Sequence, residues 1–191
     1  MSKYVPPHSL LKPERRYKSV IVLKKGPKYI VVQNRKTGNL TFPGGGCHST
    51  NGKRTENMVN CALRELIEEA HNSIKVNKLN HLFTFNSNER FNNELEKNKK
   101  IRKIVTMQYN IFKANVIKNF NHIKRNFHKK PIKNLTKNEK ETTNILLKSK
   151  NNLFGNRVMW NFMRNKVLTR LTPPPKKMSE HHSGRPSSGR W

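Results

Sequence analysis

Between residues 39 and 70 the chain reads NLTFPGGGCHSTNGKRTENMVNCALRELIEEA, a short extended stretch closed by three glycines and then a run crowded with glutamate. Few sequences tolerate that order. Val59, Ala62 or Leu63, Leu66 and Ala70 recur at spacings of three and four, which predicts a helix over 56–70 with one apolar stripe. Thr55 is the expected N-cap, and Glu56 stands beside the positive end of the helix dipole. Glu65, Glu68 and Glu69 then fall at i, i+3 and i+4 and cluster on one side of that helix. The whole chain has 11 acidic residues against 40 Lys plus Arg, and no aspartate. Packing four glutamates between 56 and 69 is therefore a local choice that works against the composition.

Like charges at that spacing destabilise a helix unless a cation neutralises them. Hard divalent ions such as Mg²⁺ or Mn²⁺ take carboxylate oxygens and keep waters, leaving room for phosphate oxygens. The glycine loop at Gly44, Gly45 and Gly46 adds backbone N–H groups that can face an anion. Together these parts describe metal-assisted attack of water on a phosphate.

The flanking segments predict a mixed α/β domain. KSVIVLKK (18–25) and KYIVVQNR (28–35) are short β-branched runs, turned at Gly26-Pro27, and read as a hairpin. HLFTFNS (81–87), RKIVTMQYNIFKANVI (102–117) and TNILLKS (143–149) are further strands, with a charged loop (88–100) between the first two. Residues 118–138 read as a basic, irregular insertion, and 156–171 as a final amphipathic helix. The expected organisation is a basic arm (1–17), one domain (18–172) and a Pro/Ser/Gly-rich unfolded tail (173–191).

The string FPGGG…E…RELIEEA resembles the signature of the Nudix (MutT-like) hydrolases, G-x5-E-x7-R-E-U-x-E-E-x-G-U with U apolar. Glu56, the seven residues after it, and Arg64-Glu65-Leu66-Ile67-Glu68-Glu69 match at the family's spacing. Two departures stand out. The glycine loop is separated from Glu56 by about four or five extra residues, and the later family glycine is replaced by His71, followed by Asn72. The resemblance implies an α/β/α sandwich with a mixed sheet. It implies that Glu65, Glu68 and Glu69 bind Mg²⁺ or Mn²⁺, one of them doubling as general base. Arg64 would hold a catalytic glutamate in place, though an ordinary i,i+4 pair with Glu68 accounts for it equally well. Glu56 would support the site from the loop side. A further carboxylate is expected from the second half of the domain, Glu141 ahead of Glu139. Lys53 and Arg54, in the loop insertion, lie where a phosphate chain would enter.

The signature chooses the chemistry and leaves the substrate open. A formal charge of +29 and a pI near 10.7 point to a polyanionic partner, although a Lys/Asn/Ile-rich chain also fits coding bias. KNFNHIKRNFHKK (118–130) interleaves Phe120 and Phe127 with Lys124, Arg125, Lys129 and Lys130, a mixture suited to RNA phosphates and base stacking; the alternative is that both phenylalanines plug into the core. Removal of the mRNA 5′ cap therefore leads, followed by a small nucleotide such as ADP-ribose or a dinucleoside polyphosphate, and by an inactive RNA-binding module. No stretch approaches the length of a membrane span. Cys47 and Cys61 lack metal-type spacing, and with no secretory signal in view they read as free thiols in a reducing compartment, the cytoplasm.

Overall fold

The computed structural model describes residues 14–50, 53–92, 102–155 and 159–171. Most of the expected basic arm and all of the expected tail lie outside these residues. Twelve-residue strand β1 (Glu14–Lys25) turns at Gly26, whose φ of +58° suits glycine, into β2 (Lys28–Asn34). The hairpin register runs from Leu23 opposite Ile30 to Lys25 opposite Lys28. Then come β3 (Leu40–Thr41), β4 (Gly44–Gly46), a two-stranded ribbon β5 (Ser49–Thr50) and β6 (Lys53–Arg54), and helix α1 (Met58–Glu69). After α1 follow β7 (Asn80–Asn92), β8 (Arg102–Asn115), helix α2 (Phe120–Lys129), β9 (Thr142–Lys148) and two short helices, α3 (Lys150–Gly155) and α4 (Asn161–Lys166).

The sheet is mixed. Its main path is β3-β2-β1-β8-β7, with β4 paired to β1 and β9 to β2. β1 and β8 run parallel from Glu14–Val105 to Lys24–Asn115, and the other strand pairs among the described residues are antiparallel. Alternation along the strands sends side chains to two separate cores. On one face Ile21, Leu23, Ile30 and Val32 bury against Cys61, Ala62 and Leu66 of α1 and Ile123 and Phe127 of α2. On the other, Val20, Val22, Val31 and Ile111 meet Leu153, Met159, Met163 and Leu168. Each such fully buried aliphatic side chain stabilises the fold by about 1.5–3 kcal/mol. The result is helix over sheet over helix, the expected α/β/α sandwich.

Several expectations need correction. The cap of α1 is Asn57, whose side chain accepts from the Val59 N–H, so the helix starts later than 56 and Thr55 is not its cap. Val59 is 39% exposed, and Met58 and Cys61 take its place in the buried stripe. The glycines form strand β4, not a loop, hydrogen-bonded to Lys18–Val20 of β1. β7 runs on to Asn92, into what reads as a loop. The basic insertion is not irregular: Asn119 caps α2, and Ile123 and Phe127, one turn apart, anchor it in the core. Phe127 is thus core rather than a base-stacking platform, and Phe120 is packed against the same cluster. The expected terminal helix is shorter, α4 followed by a 3-10 turn over Leu168–Leu171, with 156–158 outside the described residues.

Cys47 and Cys61 are joined in a disulfide, so they are not free thiols, and the inference to a reducing compartment loses its basis. Among the described residues no helix is long and apolar enough to cross a membrane. The cross-link ties the residue after β4 to the second turn of α1. Its sequence separation is 14, a span for which loop closure alone is worth about 3 kcal/mol. Adding a thiol reductant should therefore lower the melting temperature by about 6–12 °C in a calorimetric scan. An unchanged temperature would show that the bond does not form in solution.

Candidate active site

The groove between β4 and α1 gathers the acidic side chains. A cavity of about 220 Å³ is lined by Gly44, Gly45, Gly46, Glu65, Glu68, Glu69, Asn138 and Glu141. Backbone geometry explains why glycine is required on one wall. A Cβ on Gly45 would run into the Glu65 carboxylate, and one on Gly44 would come within 2.7 Å of the Val20 Cα. Bare backbone at Gly44 is what lets β4 lie this close to β1, and at Gly45 it leaves the space that the Glu65 carboxylate occupies. Ser19, on β1, donates to the Met58 carbonyl at 2.9 Å and seats the first turn of α1 on the sheet.

Arg64 organises the carboxylates. Its Nε and Nη2 both reach the Glu56 carboxylate at 3.1 Å, Nη1 donates to Glu65 Oε1 at 2.8 Å, and Nη2 also donates to the Gly46 carbonyl at 2.8 Å. The contact to Glu68 is the longest, at 3.4 Å. The simple i,i+4 pair is thus the weakest part of what Arg64 does. Glu56 in turn accepts from the His48 N–H at 3.1 Å, closing the ribbon β5–β6 onto the helix. Hydrogen bonds from Arg64 hold Glu56 below the usual carboxylate range despite its burial. Burial outweighs Arg64 at Glu65 and raises it.

Glu69 is the most perturbed. It accepts from the Gly44 N–H at 2.8 Å, so that amide is committed to the protein and is not available to a phosphate. Burial, followed by the neighbouring charges of Glu65, Glu141 and Glu68, pushes its pKa up to about 8. The site thus carries more negative charge than its single guanidinium can neutralise. In the ion-free protein the sign of the linkage follows directly. A carboxyl that titrates at 4.5 when unfolded and near 8 when folded is favourable at low pH, and that contribution is lost as pH rises between these values. Ion-free stability should fall by a few kcal/mol from pH 5 to pH 8, and a saturating divalent ion should reverse the slope. Thermal scans across this range, with and without Mn²⁺, check it.

Of the expected site residues, Glu65, Glu68, Glu69 and Glu141 share one cavity. Glu139 does not: it pairs with Lys130 at 2.8 Å, and although burial opposes it, the bonds from Lys130 and Thr136 hold its pKa low. Lys53 and Arg54 are exposed on β6 and do not line the cavity; Arg54 lies over the Tyr17 ring. Asn138 had no signal in the sequence, yet its Nδ2 donates to Glu68 Oε2 at 3.0 Å. Lys124 and Arg125 line a shallow groove of about 470 Å³ with Asn121 and His128, while Lys129 is exposed nearby and Lys130 is taken up by Glu139. Trp160 is 38% exposed and stacks on Phe162 with centroids 5.0 Å apart.

No family model matches the sequence, and no curated protein matches it. Solved structures do. A pyrophosphohydrolase of Bacillus subtilis is 19% identical, with 86% of this chain and 82% of that one covered and a TM-score of 0.51. The MutT protein of Bacillus halodurans is 13% identical over 82% and 81%, with a TM-score of 0.52. The MutT Nudix hydrolase of Burkholderia pseudomallei is 11% identical over 83% and 98%, with a TM-score of 0.53.

This chain has the Nudix fold. Within it, the end of α1 explains the second departure from the signature. The His71 N–H bonds the Glu68 carbonyl and the Asn72 N–H bonds the Ile67 carbonyl, a Schellman ending in which the residue after the cap turns left-handed. His71 has a φ of +49° and Asn72 +55°. The Nudix glycine at this place meets a backbone demand, and the histidine meets the same demand at a cost of about 1 kcal/mol. The extra residues before Glu56 become the β5–β6 ribbon, which leaves the Arg64–Glu56 pair intact.

Proposed function

We propose that the protein hydrolyses a pyrophosphate bond in a nucleoside diphosphate linked to a second group, with a divalent ion, and that the physiological substrate is the 5′ cap of mRNA. The observation that carries this reading is four glutamates around one cavity whose other wall is bare glycine backbone. The donor set fits a hard divalent ion: all-oxygen, anionic and short of counter-charge. No three of these carboxylates converge within 4.8 Å; among the described residues only Cys47, Glu56 and Cys61 do, and both sulfurs are spent in the disulfide. To hold an ion, these carboxylates would have to draw closer together and Glu69 would have to be ionised. Glu65, Glu68, Glu69 and Glu141 would hold Mg²⁺ or Mn²⁺, which supplies charge neutralisation at the phosphate and a more acidic water.

The chain's own residues supply the rest. Arg64 fixes Glu65 and Glu56 relative to the glycine strand, and Asn138 orients Glu68. A carboxylate of this set takes the proton as water attacks phosphorus and the bridging oxygen leaves on the other phosphate. Nothing lining the cavity is aromatic or apolar, so it recognises phosphate and metal rather than a base. Choice of substrate must come from outside it, and there the chain offers the basic face of α2. Incubation with Mg²⁺ or Mn²⁺ and capped RNA, ADP-ribose or a dinucleoside polyphosphate, side by side, tests the reading. Release of capped nucleoside diphosphate from RNA is expected. A preference for the small nucleotides would transfer the assignment to them, and no turnover of any would leave an RNA-binding module.

A further inference from the structure

The side chain that replaces the signature glycine is not idle. The His71 ring stacks on Phe127 with centroids 4.0 Å apart and planes at 8°. Its Nδ1 faces the Phe127 carbonyl at 3.1 Å and its Nε2 the Glu139 carbonyl at 2.8 Å. Carbonyl oxygens only accept, so whichever ring nitrogen carries a hydrogen donates to the carbonyl it faces, and the stacked ring stays wedged between the two. One partner is the last turn of α2. The other begins the 3-10 turn Glu139–Glu141, the element that brings Glu141 to the cavity just after Asn138. From the end of α1, one imidazole thus clamps both the inserted helix and the turn behind the site's fourth carboxylate.

We infer that His71 is a positioning residue, which holds Glu141 and Asn138 opposite Glu65, Glu68 and Glu69 by fastening the 120–141 segment to the end of α1. The inference rests on the metal-dependent reading above. Arg35, just after β2, grips the same turn, its Nε donating to the Lys140 carbonyl and its N–H to the Glu141 carbonyl. Lys130 adds an ion pair to Glu139. These contacts fix the turn to the sheet and to α2; Asn138 to Glu68 and His71 to Glu139 are the side-chain bonds that fix it to α1. Replacing His71 by the family's glycine removes the ring and leaves a backbone better suited to a positive φ, so any loss cannot come from the turn itself.

The test is His71→Gly, with His71→Asn as a second variant that tolerates the left-handed turn but cannot reach both carbonyls. In ion-free protein, hydrogen exchange at the amides of 132–141 should accelerate in both variants while those of α1 hold. Mn²⁺ affinity, read by titration calorimetry well below the melting temperature, should weaken about ten- to a hundredfold. Unchanged exchange at 132–141 in ion-free His71→Gly would overturn the inference, as would faster exchange with wild-type Mn²⁺ affinity. Failure of the wild-type protein to bind Mn²⁺ would instead sink the metal reading, and the clamp would still stand or fall by the exchange data.

Discussion

Glu69→Gln should leave the protein folded, more stable without metal, and close to inert. The carboxylate is buried among three like charges, and its pKa of about 8 records what burial and then those charges cost the ionised form, against the favourable bond from the Gly44 N–H. An amide oxygen can still accept from Gly44, so the packing survives. The charge that would balance an ion does not survive, and kcat should fall about a hundred- to ten-thousandfold. At pH 8 the ion-free variant should melt above the wild type, and its stability should lose most of its decline between pH 5 and pH 8. Glu68→Gln should lose comparable activity with less gain in stability, because Glu68 already has Arg64 and Asn138 as partners. Turnover near wild type in the Glu69 variant would show that the ion is held elsewhere.

The acidic half of this site was legible because it is local. Glu65, Glu68 and Glu69 share a helix, where spacing fixes which side chains are neighbours. Glu141 was legible only by analogy, and the structure distinguishes it from Glu139 through a partner, Lys130, that sequence order does not reveal. What stayed hidden depends on contacts across the chain. Asn138 reaches Glu68 over 70 positions, and His71 reaches Glu139 over 68. Helix α2 was missed for a different reason: two buried residues, Ile123 and Phe127, are too few to write a periodic signal among so many polar ones. The cysteines were misread because a sequence separation of 14 says nothing until the helix folds back along β4. In the hairpin β1–β2, by contrast, β-branched composition and a glycine turn act within a few residues, and the strand ends at the turn stand where expected, although β1 starts at Glu14, four residues before the expected 18 and inside the expected arm.

RNA binding should fall steeply with salt, and a triple substitution on one face of α2 should remove much of that dependence. Asn121, Lys124, Arg125 and His128 stand at i, i+3, i+4 and i+7, a single exposed stripe opposite the buried Ile123 and Phe127. Lys129 extends the charge at the helix end. Lys130 belongs with Glu139 and the clamp on the 3-10 turn, so it is left in place. For single-stranded RNA each phosphate contact contributes about 0.7 to the slope of log affinity against log salt. Replacing Lys124, Arg125 and Lys129 with serine should therefore flatten the slope by about 2 and raise KM for long capped RNA, measured as kcat/KM across substrate lengths. Hydrolysis of a free cap dinucleotide, which cannot reach from the glycine strand to α2 with a nucleic-acid backbone it lacks, should be unaffected. If capped RNA and the dinucleotide lose rate equally, the stripe supports the fold and not the substrate. If neither changes, the excess of Lys and Arg is compositional and the small-nucleotide reading takes precedence.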